Sequence, residues 1–340
     1  MMSSERWGAL RRIFSERRPG PKVWDDVCKL FLDWPEDTER EMAIQYAASH
    51  FADWKDTARM LPCPSIPHVL ALEVMCAPHY RGVASLVRGI SFSVLWNASE
   101  NTAETFVGKG QEALNIRGLE RLLASEHISF LKRLQFRKSW AGYGTGVNAS
   151  GAMLIAESPH VSQLNYLEIS DGSIGAEGAN WLAQSSSLCS LQKLLLPSCY
   201  ILDEGLIALA KAAHLSGLKL LECGGNNLHD EGLIVLAQSP HMMQLKTLSL
   251  YGNKITTVGL TALLSTNALP SLRRLNLEHN QLEDKAIDVL LSSSLTRQLT
   301  HLQLGGNRFT EKGLRRLAEA EELHHIKKLV LGNHFSLHRK

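Results

Sequence analysis

No stretch of the 340-residue sequence reaches the 18 or so consecutive apolar residues that a membrane-spanning helix needs, so no membrane partner is expected. The first 22 residues also lack an apolar core, because Arg11, Arg12, Arg17 and Arg18 interrupt them. That argues against a secretory signal and predicts a cytoplasmic location. Charge of one sign is not in excess: 36 Lys and Arg face 34 Asp and Glu, a net charge of +2, which gives no general case for nucleic acid or membrane surfaces. The six cysteines, Cys28, Cys63, Cys76, Cys189, Cys199 and Cys223, contain no CxxC pair, so neither a disulfide framework nor a zinc finger is expected. Cys189, Cys199 and Cys223 read as buried free thiols in small slots, and Cys63 as part of a rigid Pro62-Cys63-Pro64 turn.

Catalytic motifs are missing as well. Gly142, Gly144 and Gly146 superficially suggest a phosphate loop, but the Gly-Lys-Ser/Thr ending is absent. His324, His325, His334 and His338 cluster near the end without HExxH or finger spacing, and no Gly-x-Ser-x-Gly orders a nucleophile. No enzyme, cofactor or metal site is therefore expected.

What the sequence has instead is a phased motif, Leu-x-x-Leu-x-Leu-x-x-Asn, with a step of 27 residues. Its middle leucines are Leu167, Leu194, Leu221, Leu248, Leu275, Leu302 and Leu329. Five residues on stand Asn226, Asn253, Asn280 and Asn307, with Gly172 and Cys199 in earlier copies. Seven on come Ile174, Ile201, Leu228, Ile255, Leu282 and Phe309. Eleven on come Gly178, Gly205, Gly232, Gly259 and Gly313, a column broken only by Ala286. Each copy thus alternates strand, turn and helix.

The columns have physical readings. Leucines spaced two apart send alternate side chains of a short strand inward. An asparagine amide both donates and accepts, so a stacked row of them can satisfy backbone groups where each strand bends away. Small residues such as Ala183, Ala210, Ala237 and Ala318 let the following helix pack closely. A unit of this length cannot bury its apolar face alone, so neighbours must stack.

Across about residues 104 to 334 these columns resemble the leucine-rich repeat family, in its ribonuclease-inhibitor-like class. The resemblance implies an α/β fold: a right-handed solenoid, or horseshoe, with a parallel concave sheet and outer helices. About eight repeats are expected over residues 101–340, the first ones degenerate. The copy around Leu131, Leu134 and Phe136 lies 33 residues before the next, which places six extra residues near Gly142 to Val147. Before it, Gly118 to Leu123 keeps the helix start, with Val107 standing for the strand.

Residues 1–100 differ. They hold five of the seven tryptophans, Trp7, Trp24, Trp34, Trp54 and Trp96, and no phased motif. Apolar spacing predicts two amphipathic helices between Val23 and Met60, separated by Pro35, then a helix over Val69 to Met75 and a hairpin near Gly82 to Trp96. The phrase from Ala47 to Trp54 with Arg59-Met60-Leu61-Pro62 resembles the bacterial repeat-companion domain, which implies a bacterial origin but no activity. A small helical capping domain is expected. Six basic residues between Met1 and Lys22 precede nine acidic ones between Val23 and Met60. The basic arm reads as solvated or docked on its own neighbour, with nucleic acid as the lesser alternative.

The outward strand residues are free of packing duty and lie in rows, so they are the candidate partner site. Tyr166, Leu195, Leu220 and Tyr251 form an apolar and aromatic strip beside Glu168, Glu222 and Glu278. Lys193, Arg274 and His301 complete the candidate set. The expected function is a non-enzymatic scaffold or adaptor binding a protein or peptide. The alternative is a targeting subunit of a ubiquitin-ligase-like or effector system, and lysines at the second motif position read as a solubility feature.

Overall fold

The computed structural model describes residues 3–16, 18–35, 37–54, 59–61, 74–75, 80–94, 116–138, 147–332 and 335–338. The expected domain boundary at residue 100, the strand at Val107, the glycines at 142–146, Cys63 and most of the helix expected over Val69 to Met75 lie outside them. By packing, the chain divides into two units. The first comprises Met1–Thr145 with Ser158–Tyr166, and the second Gly146–Glu157 with Leu167–Lys340.

In the first unit the two expected helices are Pro21–Leu32 and Thr38–His50. Pro21 opens the first, where a missing N–H costs nothing. Asp37 caps the second by accepting from Arg40 N at 2.8 Å. A third helix, Ser3–Glu16, carries the arginine-rich arm onto them. Trp7 meets Trp34 and Tyr46 edge-on at 5.8 and 5.9 Å, and Phe14 lies 5.3 Å from Phe51. Trp24, Phe31, Trp34 and Phe51 are buried, so the tryptophan-rich composition is explained by one aromatic core.

The hairpin near Gly82 to Trp96 is not formed. Arg81–Leu86 is a helix, and β2 (Gly89–Val94) runs parallel both to β1 (Met60–Leu61) and to β3 (Arg133–Lys138). Gly82 misled because its role is close approach: a Cβ there would lie 2.5 Å from Ile44 Cδ1 on the helix Thr38–His50. β2 stands in register with β3, Ile90 opposite Leu134 and Phe92 opposite Phe136, so a strand aligned with the repeat strands already precedes β3.

The second unit is a stack of strand, turn and helix repeats, an α/β solenoid. β5 (Lys193–Leu195), β6 (Leu220–Glu222), β7 (Thr247–Ser249), β8 (Arg274–Asn276), β9 (His301–Gln303) and β10 (Lys328–Gly332) pair in parallel with their leucines aligned. β4 (Tyr166–Ile169) precedes them. Leu194, Leu221, Leu248, Leu275, Leu302 and Leu329 are at most 1 % exposed. Each such burial is worth about 1.5–3 kcal/mol. Past β10 the chain turns back as β11 (Phe335–His338), antiparallel, which covers an edge that would otherwise offer unpaired backbone groups.

Three side-chain ladders tie the repeats together. Asn226, Asn253, Asn280 and Asn307 each accept through Oδ1 from backbone N–H of the preceding repeat and donate through Nδ2 to strand-end carbonyls. Cys199 takes the same slot more weakly, its Sγ donating to Ile169 O at 2.9 Å. A second ladder was not foreseen: Asp203, Asp230 and Asp284 accept from His229 N, Thr256 N and Thr310 N, capping the helix of the next repeat. In the third, Ser185, Ser239, Thr266 and Ser293 donate to Ala156, Ala210, Ala237 and Leu264 carbonyls at the helix ends one repeat earlier.

The buried-thiol expectation needs one correction. Cys199 and Cys223 are buried and Cys189 is exposed. The 3₁₀ turn Ser186–Leu188 already sends Leu188 inward, leaving the next residue outside.

Candidate functional site

Each repeat leaves its strand at the same backbone conformation. Asp171, Ser198, Gly225, Gly252, His279 and Gly306 all have φ between 53° and 70°. A left-handed residue costs about 1–2 kcal/mol when it is not glycine, so half the repeats accept that cost to keep the turn and hold the strands at one level. Side chains on the outer strand face therefore fall into continuous rows about 4.8 Å apart. One row runs Lys193, Leu220, Thr247, Arg274, His301 and Lys328. The other runs Leu195, Glu222, Ser249, Asn276, Gln303 and Val330.

The candidate residues separate into three groups. Leu195, Leu220, Glu222, Tyr251, Glu278 and His301 are half-buried, while Lys193 and Arg274 are exposed. Tyr166 and Glu168 are withdrawn from solvent, at 7 % and 6 % exposure, contrary to the expectation that both project freely. In the first unit the Arg133 guanidinium lies over the Tyr166 ring at 3.5 Å from its centroid. In the second, Ser170 Oγ donates to Glu168 Oε1 at 3.1 Å.

Tyr251 is positioned by what is missing beside it. A Cβ on Gly224 would collide with the Tyr251 ring, so the aromatic face lies directly on the backbone of the neighbouring repeat. Glycine in the row before a tyrosine was the signal for this in the sequence. Burial, with Glu222 and Asp171 adding to it, raises the Tyr251 hydroxyl above its ordinary pKa. Burial first and Glu168 second raise the Glu222 carboxyl. Farther along, Gln303 Nε2 donates to Glu278 Oε2 at 3.0 Å, a contact the alternation of strand residues did not predict.

The Glu222 shift has a direction in stability. A carboxyl raised in the folded state binds its proton more tightly there than when unfolded, so this contribution falls as pH rises. Glu222→Gln is expected to stabilise the protein at pH 7 and to lose that advantage below about pH 4, the unfolded range. Paired chemical denaturation curves at the two pH values measure it; an equal effect at both would exclude the burial and Glu168 origin.

Among the described residues, no helix is long and apolar enough to cross a membrane. The comparisons agree with the repeat architecture. Residues 244–292 match a family model described as Leucine Rich repeats (2 copies), and residues 297–318 match a second, described as Leucine Rich repeat. Neither match reaches the N-terminal region. Among solved structures, a chain in the crystal structure of the Rad7 and Elc1 complex in yeast is similar in fold. Its TM-score is 0.57 at 17% sequence identity, over 88% of this chain and 69% of that chain. No curated protein matches in sequence. The matched segments are leucine-rich repeats, and the strand register carries the same arrangement from β5 to β10.

Proposed function

We propose that the protein is a non-enzymatic scaffold or adaptor that holds a protein or peptide partner on the outer strand face of its second unit. The observation that carries this is the half-exposed strip formed by Leu195, Leu220 and Tyr251. The interior leucine row is already saturated, and the strand backbones are paired on both sides, so these side chains are not needed to close the fold. Tyr251 is a broad, amphipathic ring held in one place by Gly224, the kind of rigid aromatic that commonly dominates a contact surface. Glu222 beside it carries charge at a site where burial disfavours charge, which a partner's cation or donor would relieve. A chain of similar fold in complex with a second protein supports the same class of use.

The test is affinity capture from the native host with the wild-type chain and with Leu220→Ala/Tyr251→Ala, followed by mass spectrometry and binding measurement on whatever is captured. The double variant is expected to weaken the partner by roughly 30-fold, the effect of losing about 2 kcal/mol at an aromatic anchor. Denaturation midpoints serve as the folding control. Equal affinity for both chains would remove the strip from the contact.

A further inference from the structure

Strands β5 to β9 begin in segments 186–193, 213–220, 240–247, 267–274 and 294–301, none of which contains Asp or Glu, whereas the β10 counterpart, 321–328, opens with Glu321 and Glu322 before its lysines. The five segments supply Lys219, Lys246, Arg273 and Arg274 to one edge of the strand face, and the start of β10 adds Lys327 and Lys328. Carboxylates collect at the other edge, where Glu222 ends β6 and Glu278 follows β8. The two edges of one face therefore have opposite sign.

Folding does not account for the cationic edge. Arg274, His301 and Lys328 stand directly opposite one another across β8, β9 and β10. Arg274 and Lys328 are cations two strands apart, about 9.6 Å, within reach of mutual repulsion, and a proton on His301 between them would add to it. Partial burial, then Arg274, Lys328 and Lys327, hold the His301 imidazole below its ordinary pKa, so the crowding is felt where it is placed. Among the described residues none of the six Lys and Arg named above has a carboxylate within ion-pair distance. Lys219 donates instead to Gln192 Oε1 at 3.0 Å, and Arg273 to the Pro270 and Leu272 carbonyls.

We propose that the strand-start edge of β6 to β10 receives an acidic polypeptide segment of the partner and thereby fixes the direction in which the partner lies across the face. This rests on the contact-face reading above and adds the chemistry of the partner. A nucleic acid fits less well on two counts. None of the five segments contains Phe, Tyr or Trp on which bases would stack. At about 3.3 Å per residue, the carboxylates at the strand ends lie about 10 Å from the cations, on the order of one Debye length. A uniformly anionic strand crossing the face would be repelled over its far half. A polypeptide can set acidic residues on the cations, apolar ones on Leu195 and Leu220, and a basic residue by Glu222.

The test uses the full chain and three labelled probes read by fluorescence anisotropy: a peptide with an acidic end, an apolar middle and a basic residue; its counterpart with lysines replacing the acids; and a single-stranded oligonucleotide. The acidic peptide is expected to bind at least about tenfold tighter than the other two. It is expected to lose at least about tenfold in affinity between about 50 mM and about 500 mM salt. Arg274→Gln/His301→Gln/Lys328→Gln is expected to lose at least about tenfold in peptide affinity while its thermal midpoint does not fall, because the removed cations form no ion pair within the fold. A triple variant that binds the peptide like wild type, a midpoint that falls, or an oligonucleotide that binds as tightly as the peptide would each overturn the proposal. Tyr251→Ala separates the two readings. Unchanged peptide affinity in that variant, with loss in the triple variant, would uphold the acidic seat and remove the apolar strip.

Discussion

Replacing Asn253 by Ala is expected to destabilise the repeat unit by about 4 kcal/mol, because one buried amide meets five backbone groups, Tyr251 O at 3.3 Å among them. Its Oδ1 accepts from Asn226 N and Leu228 N, both at 3.0 Å, and its Nδ2 donates to the Cys223 and Leu250 carbonyls, also at 3.0 Å. Alanine leaves two donors and three acceptors without that partner in a place only 6 % exposed. Each abandoned group costs about 1–3 kcal/mol, reduced where water reaches the turn. The position also matters. Repeats are coupled through their nearest neighbours, so a break in the middle separates two shorter stacks, and the denaturation curve is expected to broaden as well as shift. Asn307→Ala is the internal control: Asn307 is only half-buried, and its Oδ1 accepts from Leu282 N alone among the described contacts, so a smaller loss is expected. Guanidinium denaturation followed by circular dichroism decides this. Equal losses at both positions would remove the ladder as the explanation.

The leucine column was legible in the sequence because every copy from Leu167 on repeats it at the same phase, and the asparagine column because four consecutive copies do, each with one physical job. The aspartate ladder was not, for a reason visible in its own column. Asp203, Asp230 and Asp284 alternate there with Ala176, Thr257 and Glu311, which look like ordinary residues of a helix start. Their acceptors serve the next repeat, 26 residues on, a contact that no local pattern announces. β2 escaped for a different reason. Its pairing with β3 joins Ile90 to Leu134 across 44 residues, far from the 27-residue step, so only backbone register reveals its alignment with the repeat strands. The arginines of the helix Ser3–Glu16 masked an apolar face carrying Trp7, Leu10 and Phe14.

The candidate site was legible in part. Strand alternation identifies which side chains point outward, and the register brings Lys193 beside Leu220, Leu195 beside Glu222 and Arg274 beside His301 as the rows require. Alternation does not say how far a long neighbour covers what points outward, which is why Tyr166 was taken as open when Arg133 lies across it. Nor does it register an empty space, and the placement of Tyr251 depends on the missing side chain of Gly224. The charge separation between strand starts and strand ends was hidden for another reason. The sequence shows lysines column by column, and only the aligned strands set Arg274, His301 and Lys328 against each other.

Gly259→Ala is expected to cost about 2 kcal/mol, and Asp230→Thr is expected to recover much of that loss. A Cβ on Gly259 would overlap Asp230 Oδ1 and come 3.2 Å from Asp230 Cα, tighter than ordinary contact. Either the carboxylate swings away and Thr256 loses its acceptor for both N–H and hydroxyl, or the two helices move apart. The chain contains its own control for this conflict. Gly232 faces Asp203, Gly259 faces Asp230 and Gly313 faces Asp284. The one repeat with Ala286 in the glycine column has Thr257 in place of the aspartate one repeat earlier, and Ala286 is fully buried there. At Gly232, Gly259 and Gly313 the glycine therefore answers to the carboxylate ladder, whereas Gly178 and Gly205 lie against Ala152 and Ala179, where close helix packing alone leaves no room for a Cβ. Asp230→Thr alone is expected to cost about 1 kcal/mol through the lost cap. The Asp230→Thr/Gly259→Ala double variant copies the natural Thr257 and Ala286 pair, so its loss is expected to fall about 2 kcal/mol short of the sum of the single losses. Four denaturation curves close the cycle, and strict additivity would mean that the two columns are independent.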